Sequence, residues 1–151
     1  MEAFKNVDEI LDFAMRAEQE AVDFYTQLAS RMKNPEIKNI FLEFAKEEVG
    51  HKARIKKVKE EKLFELSNED IEDLKISDYT VRVKPSPDMD YADALLLAMN
   101  KEKAAFKLYT ALSERTNLPE LKKVFRELAK EESKHKLRFE IEYDEYVLRE
   151  N

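Results

Sequence analysis

With 151 residues, 40% charged and 43% apolar, one glycine and four prolines, the chain has the make-up of a single, nearly all-helical domain. A net charge of −6 argues against nucleic acid as a partner, since phosphate binding needs a basic face, and no run of about 18 apolar residues offers a membrane span. Without cysteine there is no disulfide and no thiolate metal site, so any metal must be held by carboxylates and the two histidines, His51 and His135.

The opening residues, MEAFKNVDE, carry no basic and apolar signal region, and the expectation is a cytoplasmic protein. Asn6, with Glu9 three residues on, reads as a capping box that opens the first helix. Val7, Leu11, Ala14, Glu18, Ala21, Tyr25, Leu28 and Met32 then step by threes and fours, one inward seam with Glu18 at its middle. Asn34-Pro35 ends that helix near Lys33 and starts the next with a cap and a proline in its first turn. The second helix is predicted from Pro35 to about Lys62, on the seam Ile37, Phe41, Phe44, Glu48, His51, Ile55 and Val58. Glu48 and His51 stand where that pattern asks for Leu or Phe.

Residues 63–88 break the periodicity. They are polar, contain Pro85 and Pro87, and hold one short β-prone run from Tyr79 to Val83. A helix of about 28 residues is roughly 42 Å long, and an extended chain crosses that in about 13 residues. The segment is long enough to run from one end of a bundle to the other. Asp90 with Asp93 is expected to open the third helix, on the seam Tyr91, Leu95, Ala98, Glu102, Ala105, Tyr109 and Leu112. Leu118-Pro119 starts the fourth, with Leu121, Phe125, Leu128, Glu132, His135 and Phe139 inward. Its last turns are acidic and aromatic, suited either to covering one end of the bundle or to meeting a partner.

A shift of 84 positions lays residues 14–54 on 98–138 without a gap, with about half the pairs identical. FLEFAKEEVGHKAR, starting at Phe41, returns as FRELAKEESKHKLR, starting at Phe125. The shift carries Glu18 onto Glu102, Glu48 onto Glu132 and His51 onto His135. The predicted fold is therefore all-α. It is an antiparallel four-helix bundle spanning 1–151, made of a hairpin at 7–62, a crossover at 63–88 and a duplicate hairpin at 90–148.

Within each hairpin the carboxylates and the imidazole come level. Glu18 lies 16 residues before Asn34, and the Glu48/His51 pair is centred about as far after it. At a rise of about 1.5 Å per residue, both stand roughly 24 Å from the turn. A Glu-x-x-His pair puts both side chains on one helix face. If the halves pack face to face, four carboxylates and two imidazoles gather at one depth. Buried carboxylates need counter-charge, and no Lys or Arg occupies the seams at that level. Two divalent cations would supply it. Oxygen donors with imidazole suit iron or manganese, with zinc as a further occupant. The same constellation, a Glu from each of two helices and Glu-x-x-His from the other two, builds the di-iron and di-manganese carboxylate bundles.

On these residues the chain resembles the ferritin-like superfamily, and most closely its rubrerythrin branch. The resemblance runs from residue 7 to about 145, apart from the crossover. It implies two iron ions, with Glu18 and Glu102 as terminal ligands, Glu48 and Glu132 bridging, and His51 and His135 each on one metal. It also implies an enzyme that reduces hydrogen peroxide or dioxygen. Two departures stand out. Typical rubrerythrins carry a further glutamate where this chain has Ala105. They also carry a four-cysteine rubredoxin domain, and this sequence has no cysteine. Any electron donor is then expected to be a separate protein. A homodimer is among the assemblies open to the chain.

Tyr25 and Tyr109 follow the first glutamate of each half by two turns, placed either for a hydrogen bond to a ligand carboxylate or for ordinary aromatic packing. Glu47 and Glu131 precede the bridging glutamates. They are placed either to accept the free N–H of a metal-bound imidazole, in related bundles that of the opposite half, or to lie solvated on the surface. Two other functions compete with oxidant reduction: iron oxidation and storage, with Fe(II) as substrate, and a non-catalytic metal-binding bundle.

Overall fold

The computed structural model describes residues 3–150; residues 1, 2 and 151, at the ends of the expected 1–151 span, lie outside it. Four long helices carry the fold: α1 (Val7–Ser30), α2 (Pro35–Glu61), α4 (Tyr91–Arg115) and α5 (Pro119–Glu150), with a short α3 (Asn68–Asp73) in the crossover. Asn6 caps α1, its side chain accepting a hydrogen bond from the Glu9 backbone N–H. Asn34 caps α2 by accepting from Glu36 and Ile37, with Pro35 in the first turn, where its missing N–H costs nothing. Asp90 stands at the start of α4 but makes no side-chain capping bond, so that expected signal marks the boundary without stapling it. Lys62 ends α2 in the left-handed region, φ 57°.

α1 and α2 form one antiparallel hairpin, α4 and α5 the other. Their apolar seams meet in two clusters. One joins the start of α1 (Ile10, Leu11), the end of α2 (Ile55, Val58), the end of α4 (Leu108, Leu112) and the start of α5 (Phe125, Leu128). The other joins the end of α1 (Phe24, Leu28) and the start of α2 (Phe41) with the start of α4 (Leu95, Ala98) and Phe139 of α5. This pairing makes α1 antiparallel to α4 and α2 antiparallel to α5. α4 therefore begins at the opposite end of the bundle from the end of α2, and the crossover spans the full length between them.

The crossover is not structureless. α3 and a 3₁₀ turn (Ile76–Tyr79) break it up, and Phe64, Ile71 and Leu74 are buried against the first cluster. The β-prone run at Tyr79 to Val83 forms no strand. A single antiparallel bridge, Ala3 to Lys75, ties the described N-terminal residues to the crossover. Among the described residues no helix is long and apolar enough to cross a membrane.

Candidate metal centre

Between the two apolar clusters lies a polar layer. Glu18, Glu48, Glu102 and Glu132 are each 1% exposed and His51 and His135 are 2% exposed, one glutamate from α1 and one from α4, and a Glu–His pair from each of α2 and α5. The helices put them there because each takes a seam position whose neighbours one turn away are core.

The donors form two overlapping sets, Glu18, Glu48, His51 and Glu132 in one, and Glu48, Glu102, Glu132 and His135 in the other. Within each set one ligand atom per residue lies within 4.8 Å of the rest. Glu48 and Glu132 belong to both. His51 Nδ1 points into the cluster, 3.0 Å from Glu132, 3.1 Å from Glu48 and 3.6 Å from Glu18. His135 Nδ1 does the same, 3.3 Å from Glu48, 3.5 Å from Glu102 and 3.7 Å from Glu132. The two rings lie nearly parallel with centroids 6.2 Å apart.

Around this layer each half supports the other. The Tyr25 hydroxyl donates to Glu102, and the Tyr109 hydroxyl donates to Glu18. Burial first, then the neighbouring carboxylates, hold both phenols well above their usual range, so they stay protonated donors. The outward nitrogen, Nε2, of His135 meets Glu47 Oε2 at 3.2 Å, and that of His51 lies 3.5 Å from Glu131 Oε1. A carboxylate on the far nitrogen fixes which nitrogen is free to bind a metal and makes it a better donor. Arg54 grips Glu131 at 3.0 Å and Glu127 at 2.9 Å. Sequence reasoning missed Arg54; its signal was its place one turn after His51, on the same side of α2. Phe44 stacks on His135 with ring centroids 4.1 Å apart.

The electrostatics leave this cluster short of positive charge. Among the described residues no lysine or arginine pairs with its four carboxylates; only the imidazoles do. Burial, joined by the charge of Glu48, pushes Glu18 well above the usual carboxylate range and Glu102 up to about 7. Burial and the charges of Glu102, Glu18 and Glu48 do the same to Glu132. Burial would raise Glu48 too, but hydrogen bonds with His135 and His51 outweigh it and hold it below the usual range. Burial disfavours the imidazolium forms, yet close contacts with the Glu18 and Glu48 carboxylates raise His51 to about 10, and those with Glu102 and Glu48 raise His135 to about 11.

Without metal, then, protons are the counter-charge. They do not complete the site: Glu18 Oε2, Glu48 Oε1, Glu102 Oε2, Glu132 Oε1, both inward Nδ1 atoms and the outward Nε2 of His51 are buried with no well-formed hydrogen bond. Buried polar atoms without partners are costly. Six convergent oxygen and nitrogen donors of this kind fit a pair of divalent cations that share Glu48 and Glu132.

A metal must displace the protons it replaces. With both histidines protonated at neutral pH in the metal-free protein, adding zinc or Fe(II) in weak buffer at pH 7 should release about two or more protons per chain. Apparent affinity should rise with pH up to the raised histidine range. A pH-stat titration checks it; binding without proton release would mean that the imidazoles are already neutral or lie outside the metal shell.

Comparisons with known proteins bear on the fold and the family. Among curated proteins nothing matches the chain. Of solved structures, a candidate ferritin-like diiron-carboxylate protein from Thermotoga maritima superposes with a TM-score of 0.79 at 24% identity, over 97% of this chain and 99% of that one. A hypothetical protein from Pyrococcus furiosus superposes with a TM-score of 0.75, also at 24% identity, over 93% of this chain and 89% of that one. At this identity the likeness speaks for the fold, a ferritin-like helical bundle. The family model named Rubrerythrin matches residues 9–87 and 93–151, one block for each hairpin, and on that match the chain belongs to the rubrerythrin family.

Proposed function

We propose that the protein is a di-iron oxidoreductase that reduces hydrogen peroxide or dioxygen by two electrons and is re-reduced by a separate donor protein. The observation that carries the reading is the pair of overlapping donor sets sharing Glu48 and Glu132. In this reading Glu18, Glu48, His51 and Glu132 would hold one ion, and Glu48, Glu102, Glu132 and His135 would hold the other. A pair of ferrous ions, when bound, would supply the two electrons. The chain's own residues do the rest. Glu48 and Glu132, common to the two sets, would hold two ions close together. Tyr25 and Tyr109 restrain Glu102 and Glu18 from the opposite half. Glu47 meets the outward nitrogen of His135, and Glu131 lies 3.5 Å from that of His51. The apolar clusters above and below close the layer at its two ends. With no cysteine in this sequence, electrons come from another molecule.

Anaerobic protein loaded with Fe(II), mixed in a stopped-flow instrument with peroxide and separately with dioxygen, tests the reading. Oxidation within seconds by at least one oxidant, in a single turnover that repeats only when a donor is added, is expected. No reaction within minutes would leave a passive metal-binding bundle as the better account.

A further inference from the structure

One side of the polar layer borders a cavity. Between α1, α4 and the crossover lies a cavity of about 640 Å³, and Glu18, Glu48, Glu102 and Glu132, each 1% exposed, line its inner end. Hydrogen peroxide needs little more room than one or two water molecules, each about 30 Å³. The cavity instead falls in the ~300–1,000 Å³ range of pockets that bind organic molecules. Its walls are largely apolar: Phe13, Phe24, Val81, Ala104, Ala105 and Leu108. Ala104 and Ala105 keep the α4 wall low. The extended crossover past Tyr79 forms the outer wall, and Val81 packs on the second apolar cluster. Charges at the rim are mixed, with Lys101 lying 4.0 Å from Glu20, so no concentrated charge awaits an ionised ligand.

Resting on the peroxide reading above, we propose that this cavity admits a neutral organic hydroperoxide. Its apolar body lies along Phe13, Phe24 and Leu108, and its O–O group reaches the carboxylates at the inner end. The reaction balances: two electrons, one from each ferrous ion, and two solvent protons convert ROOH to ROH and water. The O–O bond breaks, and both irons end ferric. A large apolar vestibule ending at the donor set is what such a substrate requires and hydrogen peroxide does not.

The test compares cumene hydroperoxide with hydrogen peroxide in single-turnover stopped-flow oxidation of the diferrous protein, in the parent and in Ala105→Phe and Ala104→Leu. Filling an apolar pocket by a few methylenes changes discrimination by roughly tenfold or more. The parent should be oxidised by cumene hydroperoxide, and either variant should lower that rate constant about tenfold more than the rate constant for hydrogen peroxide. Independently of turnover, saturation-transfer NMR should detect 2-phenyl-2-propanol, the alcohol product, bound to the zinc-loaded parent, and the signal should be lost in Ala105→Phe. Ala104→Leu, the smaller change, keeps the comparison available if Ala105→Phe does not fold. Oxidation by hydrogen peroxide alone, equal loss for both oxidants in the variants, or no bound alcohol would overturn the hydroperoxide assignment and leave the redox reading standing. If neither peroxide oxidises the diferrous protein, the redox reading falls and this assignment falls with it.

Discussion

Removing bound metal should lower the melting temperature by roughly 15–30 °C. Each ion held at about a thousand times its dissociation constant stabilises the folded state by about 4 kcal/mol, so two contribute about 8 kcal/mol. In a chain of this length each kcal/mol moves the transition by roughly 2–4 °C. The physical source is local. Four buried carboxylates, Glu18, Glu48, Glu102 and Glu132, share one layer with two imidazoles as their only partnered cations among the described residues. Metal replaces a strained set of shared protons with full counter-charge.

The double substitution Glu48→Ala with Glu132→Ala removes both carboxylates common to the two donor sets. It should abolish the metal-dependent stabilisation while leaving the metal-free protein no less stable than the metal-free parent, because two buried ionisable groups are gone. Differential scanning calorimetry with and without chelator checks both statements. A parent whose melting temperature ignores the chelator would mean that the layer is satisfied by protons alone.

His51→Ala should cost more activity than stability. It deletes the one nitrogen donor of its set, whereas loss of a residue behind a ligand typically costs 10–100-fold in metal affinity or activity. Oxidation of the diferrous protein should therefore slow by roughly 100-fold or more, with His135→Ala equivalent by the pseudo-symmetry of the two halves. Glu131→Gln is the informative companion. It keeps His51 but weakens the acceptor 3.5 Å from its outward nitrogen, and it disturbs the contact with Arg54. Its effect should fall within the 10–100-fold range. If His51→Ala reacts like the parent, the imidazole lies outside the chemistry and the donor assignment is wrong.

Much of this was legible because the polar residues break a strong pattern. Glu18, Glu48 and His51 interrupt seams that otherwise ask for Leu and Phe, and the repeat at Glu102, Glu132 and His135 doubles the signal. A seam position states depth and face, which is enough to gather six donors in one layer. It does not state which side chain meets which. The cross-half contacts of Tyr25 with Glu102 and Tyr109 with Glu18 depend on how the two hairpins lean together, and spacing along one helix cannot give that. Arg54 was hidden for the same reason, since its partners lie on α5.

The crossover was legible in length and not in form. Asn68–Asp73 is too short to be helical by propensity, and it is held by tertiary burial of Ile71 and Leu74. Tyr79 to Val83 carries β-prone residues, but among the described residues no neighbouring strand pairs with it, and the run serves as a wall. The cavity it closes is a property of three elements at once and leaves no trace in any one of them.

Metal-free protein titrated anaerobically with Fe(II), followed by metal analysis after desalting, addresses the dinuclear centre most directly. Two overlapping donor sets predict saturation at about two ions per chain, falling to about one in His51→Ala and in His135→Ala. Saturation at one ion or none in the parent would contradict it.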